Sequence, residues 1–136
     1  MKTQTPTILI TLLCLAAIGP KAQAVSPPPD GGYPGGNTAE GQNALLSLAA
    51  GTYNSAIGLF SLRSTVEGEF NTGVGAGTLF ANTANENTAT GAGALFSNTT
   101  GGFNTANGAF ALFSNTTVSG NIALGGSAGI NLTTKG

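Results

Sequence analysis

The sequence has no histidine, no tryptophan, a single cysteine (Cys14), and only four basic and five acidic side chains among 136 residues. Each shortage excludes something. One cysteine cannot close a disulfide within the chain, so order must come from packing and hydrogen bonds. Without histidine, and with carboxylates that are isolated along the sequence, acid–base catalysis has no paired groups to use, and the expectation is a protein that is not an enzyme, with no cofactor and no metal site. Glu67 and Glu69 are the nearest approach to a pair, and they read as solvated loop charges beside Arg63. No basic patch is available for nucleic acid or for an anionic membrane. Long apolar runs are equally scarce: Ile8 to Ile18 is the only one.

That run is preceded by Lys2 and followed by Gly19-Pro20 and Ala22-Gln23-Ala24. A short basic start, an apolar run and a small-x-small site form the pattern of an export signal, so residues 1–24 are expected to be a signal peptide cleaved after Ala24. The run is shorter than the roughly 20 residues a membrane-spanning helix needs. The residue before Cys14 is Leu13, where a lipoprotein signal would require a small side chain. The expected product is secreted or displayed at the cell surface, with no membrane insertion of the mature chain. Its charge would be that of Arg63 and Lys135 against Asp30, Glu40, Glu67, Glu69 and Glu86, 2 − 5 = −3. Residues 25–36 are rich in Pro and Gly and read as a linker.

What the sequence does contain, from residue 37 to 136, is one unit repeated. Asn87 to Phe103, NTATGAGALFSNTTGGF, is followed by NTANGAFALFSNTTVSG, and the same unit starts at Asn37, Asn54, Asn71, Asn87, Asn104 and Asn121, at spacings of 17, 17, 16, 17 and 17. A fixed short period marks a stacked architecture in which each unit buries its apolar groups against its neighbours. The short spacing falls among Ala81 to Glu86, which identifies the loop side of the unit. Disorder is disfavoured, because the apolar residues recur at fixed places and the mean hydropathy is positive, at +0.19.

With the Asn as position zero, position one is Thr or Ser in all but the last unit, and position four is always Gly: Gly41, Gly58, Gly75, Gly91, Gly108 and Gly125. Position eight is Leu in five units: Leu45, Leu62, Leu79, Leu95 and Leu112. This predicts a strand over positions one to three, a Gly corner, a second short strand around the Leu, and an Asn-Thr-Thr turn. Helix is excluded for the array because breakers leave no sufficiently long window. The expected fold is therefore all-β, a parallel β-solenoid or β-roll of about six coils rising roughly 4.8 Å each. The position-eight leucines are its expected core. The six position-zero asparagines are expected to form a structural ladder, with a row of sugar or ion ligands as the alternative reading, and Asn82, Asn98 and Asn115 a shorter row. The Asn-x-Thr triplets at Asn98, Asn115 and Asn131 read as turn chemistry rather than as glycan acceptors. Gly75-Ala76-Gly77 and Gly91-Ala92-Gly93 read as corners rather than phosphate loops, since neither the lysine nor the helix of such a loop follows.

Position nine carries Leu46, Arg63, Phe80, Phe96, Phe113 and Ile130. On a strand, adjacent side chains face opposite ways, so the Leu and Phe rows cannot share one interior. The Phe80, Phe96 and Phe113 row is then an exposed apolar stripe and a candidate self-association surface.

The consensus N-T-A-x-G-x-x-A-L-F-S-N-T-T resembles the tandem repeats of bacterial and phage-related surface fibres, and its N-T-A-x-G core is similar to the S-V-A-I-G core of trimeric autotransporter adhesin heads. The resemblance covers Asn37 to about Lys135 and is strongest over Asn71 to Gly120. It implies a homotrimer and a structural or adhesive role toward a host or matrix surface, while the open edge of the last coil, Ile130 to Thr133 with Lys135 as its blocking charge, would let such trimers stack end to end into fibres. A different class, an ice-binding solenoid, is the alternative. It would want a second regular Thr row at position three, where the chain has Glu40, Ile57, Val74, Thr90, Asn107 and Leu124.

Overall fold

The computed structural model describes residues 33–133, and among these it shows six strands and no helix. The strands are β1 (Thr38–Glu40), β2 (Ser55–Ile57), β3 (Thr72–Val74), β4 (Thr88–Thr90), β5 (Thr105–Asn107) and β6 (Ile122–Leu124). They pair in parallel and in sequence order in one sheet. The register aligns position one of every unit: Thr38 with Ser55, Ser55 with Thr72, Thr72 with Thr88, Thr88 with Thr105, and Thr105 with Ile122. The chain is thus a parallel β-solenoid, one coil per repeat. The expected signal peptide and most of the expected linker lie outside the described residues. The last linker residues are tied to the first coil, because Tyr33 bridges Asn37, the Asn37 amide donates to Pro34 O at 2.6 Å, and Tyr53 N donates to Gly35 O at 2.8 Å.

Each strand turns its middle residue inward: Ala39, Ala56, Gly73, Ala89, Ala106 and Ala123 are buried, while positions one and three are half-buried or exposed. Against this small-residue row packs Leu45, Leu62, Leu79, Leu95 and Leu112, none more than 6% exposed. Position seven completes the interior with Ala44, Ser61, Thr78, Ala94 and Ala111. The only Gly in the inward strand row, Gly73, has a local cause. A methyl group there would lie 2.5 Å from Ser61 Oγ and 2.8 Å from Thr78 Oγ1. Those hydroxyls bond each other at 2.8 Å, and Ser61 Oγ donates to Gly73 O at 3.0 Å. Two polar side chains in the core are satisfied by the space one missing Cβ provides.

The second strand does not form. Positions five to ten are a succession of turns, and the five leucines at position eight lie at φ between +49° and +52°. A left-handed backbone costs an ordinary residue about 1–2 kcal/mol, whereas burying a Leu side chain returns about 1.5–3 kcal/mol. The conformation aims the Leu inward while each amide still reaches the next coil: Leu62 N donates to Thr78 O at 2.9 Å and Leu95 N to Ala111 O at 3.0 Å. Coil-to-coil hydrogen bonding therefore continues around the perimeter without an extended segment. The one-residue deficit of the third coil falls between Thr83 and Ala84. Thr83 N keeps its bond to Thr99 O at 2.9 Å, and Ala84 O accepts from Asn71 Nδ2 at 2.9 Å as Gly68 O accepts from Asn54 Nδ2 at 2.7 Å. The turn absorbs the missing residue.

Candidate interaction surface

The position-zero asparagines are interior structure. Asn37, Asn54, Asn71, Asn87 and Asn104 are at most 5% exposed. Each Oδ1 accepts from the next coil twice, as when Asn54 Oδ1 takes the backbone N–H of Asn71 at 3.0 Å and its Nδ2 at 3.1 Å. The ladder continues through Asn87 on Asn71, Asn104 on Asn87 and Asn121 on Asn104. Every Nδ2 but the last also donates to a carbonyl of the turn closing its coil: Gly51, Gly68, Ala84, Gly101 and Val118. With donor and acceptor of the first five amides engaged and these five buried, they have nothing to offer a sugar or an ion, and only Asn121 at the end of the row is half-buried. The shorter row repeats the device: Asn98 Nδ2 donates to Asn82 Oδ1 at 2.7 Å and Asn115 Nδ2 to Asn98 Oδ1 at 2.8 Å. Its last acceptor, Asn115 Oδ1, is buried without a partner because the sixth coil places Leu132 at that position. Asn98 and Asn115 belong to this ladder and are fully buried.

Threonines of the closing turn form an outer ladder, Thr83 Oγ1 to Thr99 O at 3.0 Å and Thr99 Oγ1 to Thr116 O at 2.9 Å. These hydroxyls sit at the surface, where water can replace the bond. Thr99→Ala is expected to cost less than about 1 kcal/mol, read as a small change in the denaturant midpoint with an unchanged slope.

The position-nine rings lie outside the Leu core, as expected, although the strand alternation behind that expectation is absent, and they are not bare. Phe80, Phe96 and Phe113 are half-buried. Phe80 stacks on Phe96 with centroids 4.8 Å apart and planes within 5°, and Phe96 on Phe113 at 5.2 Å and 13°. Stacking coils at this rise puts identical rings in face-to-face contact, so each covers its neighbour and presents mainly its edge. The expected naked stripe is a partly self-covered one. Phe60 meets Phe80 edge-on at 6.1 Å and Phe110 meets Phe113 at 5.7 Å and 63°. Arg63 joins the cluster, its guanidinium 5.4 Å from the Phe80 centroid and 5.9 Å from that of Phe60, a cation–π arrangement. Arg63, the one charged residue of position nine, thus extends the stripe rather than breaking it.

A second aromatic row escaped the sequence reading. Position sixteen holds Tyr53, Phe70 and Phe103, exposed by 61%, 53% and 63%. Tyr53 stacks on Phe70 at 5.1 Å, and Glu86 interrupts the row before Phe103. The signal was weak because that position also carries Gly36 and Gly120 and falls in a stretch read only as turn. Charge is unevenly distributed around the coil: Glu67, Glu69 and Glu86 occupy positions thirteen to sixteen, whereas positions five to nine contain Arg63 as their only charged residue across all six coils. Among the described residues no group of three or more Asp, Glu, His or Cys could hold a metal ion, and no helix is long and apolar enough to cross a membrane. No protein-family model, curated protein or solved structure matches the chain.

Proposed function

We propose that this chain is a structural or adhesive module of a secreted or cell-surface fibre, a non-catalytic solenoid that assembles with copies of itself through the position-nine side. The observation that carries this reading is the ring stack Phe80–Phe96–Phe113 with Phe60 and Phe110 at its ends, a continuous apolar ridge over four coils. Ring edges left in water along such a ridge favour a covering partner, and burial of each adds up to about 1.5–3 kcal/mol before the entropy of association is subtracted. The rigid amide ladders support the same role, since they fix the ridge in place without needing ligand or metal. Export, surface display and the resemblance to surface-fibre repeats enter here as parts of the proposal, and assembly is its testable core. A Phe80→Ser, Phe96→Ser, Phe113→Ser variant is expected to lower the mass measured by light scattering to that of the monomer while circular dichroism stays that of the parent. A variant that keeps the parent's assembled mass would remove the ridge from the interface.

A further inference from the structure

We infer that the surface seated on this ridge is the acid-bearing side of a neighbouring copy, positions thirteen to sixteen, with the two copies parallel and level; the inference rests on the self-assembly proposed above. The charge of Arg63, the height of the acids and the second aromatic row lead there.

Arg63 sets the requirement. Its guanidinium is always charged and carries five donors, and it lies against the Phe80 and Phe60 rings, 5.4 and 5.9 Å from their centroids. Those rings attract the cation but give its N–H groups no oxygen. Among the described residues Arg63 has no hydrogen bond or ion pair, so water serves its donors while the ridge is bare. A partner covering the ridge displaces that water, and a buried charge without a counter-charge is strongly unfavourable. The covering surface must therefore bring carboxylates. The ridge of another copy cannot, because positions five to nine contain no acid in any coil.

The opposite signs stand at one height. Glu67 and Glu69 belong to the second coil, as Arg63 does, and Glu86 to the third; Glu67 and Glu86 are exposed, Glu69 is half-buried, and among the described residues none of the three has an ion pair. Arg63 leans over Phe80 of the third coil, which sets its guanidinium between the levels of these acids. Parallel copies side by side at equal height thus oppose one cation to three carboxylates. Fully overlapped antiparallel copies would oppose it to the fourth and fifth coils, whose positions thirteen to sixteen carry no acid.

The second aromatic row lies on the same side as the acids. Tyr53, Phe70 and Phe103 are exposed, and Tyr53 and Phe70 are 5.1 Å apart, against 4.8 and 5.2 Å along the ridge. The coil rise gives both rows one pitch. Phe60 and Phe70 share the second coil, and Phe96 and Phe103 the fourth, so level copies bring rings to rings as well as charge to charge. Contact of ridge with ridge would cover one row and leave the other in water. Contact between two different patches repeats from copy to copy, closing into a ring or winding into a filament according to the rotation.

Charge reversal tests the pairing. Arg63→Glu, and separately Glu67→Arg with Glu69→Arg, are each expected to raise the concentration at which half the protein is assembled at least about tenfold, read by light scattering at low salt, because like charges then face each other. All three substitutions in one chain are expected to restore assembly near the parent's concentration. Circular dichroism like the parent's shows that each variant is folded. An assembled parent whose acid-side variant is unaffected, or whose combined variant does not recover, would overturn the pairing and leave self-assembly standing. A monomeric parent would overturn both. Should Arg63→Glu disturb the fold, neutral replacements run the same cycle: Arg63→Gln and the pair Glu67→Gln, Glu69→Gln should each weaken assembly, and together by less than the sum, whereas additive losses would overturn the pairing.

Discussion

Asn87→Ala is expected to lose about 3–6 kcal/mol of unfolding free energy, a large share of the roughly 5–15 kcal/mol that ordinary domains possess. Asn87 is fully buried. Its Oδ1 accepts the N–H of Asn104 at 3.0 Å and its Nδ2 at 3.1 Å, and its own Nδ2 lies 2.9 Å from Gly101 O and 3.2 Å from Asn82 Oδ1. Alanine leaves the Asn104 N–H unpaired in the interior, at about 1–3 kcal/mol, and takes one bond each from Asn104 Nδ2, Gly101 O and Asn82 Oδ1, which keep Val118 O and Asn98 Nδ2 as partners, at about 0.5–1.5 kcal/mol apiece. Asn87→Asp keeps the acceptor for Asn104 but turns the donor into an oxygen facing Gly101 O and Asn82 Oδ1, so it should be no milder. Asn121→Ala is the contrasting case. It removes one amide bond to Asn104 Oδ1, at 3.0 Å, from a half-buried position in the last coil, at a cost of about 1 kcal/mol. Denaturant unfolding of the three variants measures the comparison, and equal small losses for Asn87→Ala and Asn121→Ala would show that the ladder does not hold the coils together.

The same ladder explains how much of the fold could be read in advance. The Asn, Gly and Leu rows were legible because each position makes the same contact with its own copy one coil away, so a physical requirement becomes a letter repeated at the period. The missing residue in the third unit pointed to the turn for the same reason: Thr83 and Ala84 keep their coil-to-coil bonds with one residue fewer between them. What could not be read was backbone conformation that residue type opposes. Leu prefers not to adopt positive φ, so a strand around position eight was the natural expectation, and only the stacking that pulls Leu95 inward while Leu95 N bonds Ala111 O reverses it. The ridge was legible as a row but not as a stack. Alternation along a strand placed the phenylalanines outside, whereas the turn at that place lets the rings lie face to face across coils. Tyr53, Phe70 and Phe103 were missed because Glu86 and the flanking glycines break the row that repetition would have revealed. Gly73 with Ser61 and Thr78 shows the opposite limit: the departures from the unit were visible, but their mutual compensation needs the 2.5 Å and 2.8 Å approaches of the absent methyl group to the two hydroxyls.

Gly91→Ala should be as damaging as loss of the ladder, for a steric reason. Gly91 lies at φ +110°, and an added Cβ would stand 2.6 Å from the carbonyl carbon of Gly108 and 2.7 Å from Ala109 N. Neither can retreat easily. Gly108 N donates to Thr90 O at 2.8 Å and Phe110 N to Ala92 O at 2.9 Å, so opening the gap between the fourth and fifth coils stretches bonds on both sides of the corner. Backbone strain and overpacking together are expected to cost about 3–5 kcal/mol. Gly125→Ala separates the two contributions. Its φ, +113°, is nearly the same, but nothing lies within 4 Å of the added methyl group, leaving only the left-handed backbone penalty of about 1–2 kcal/mol. The difference between the two variants in thermal or denaturant unfolding therefore measures the contact alone. If Gly125→Ala costs as much as Gly91→Ala, the position-four glycines are required for conformation and not for the close approach of one coil to the next.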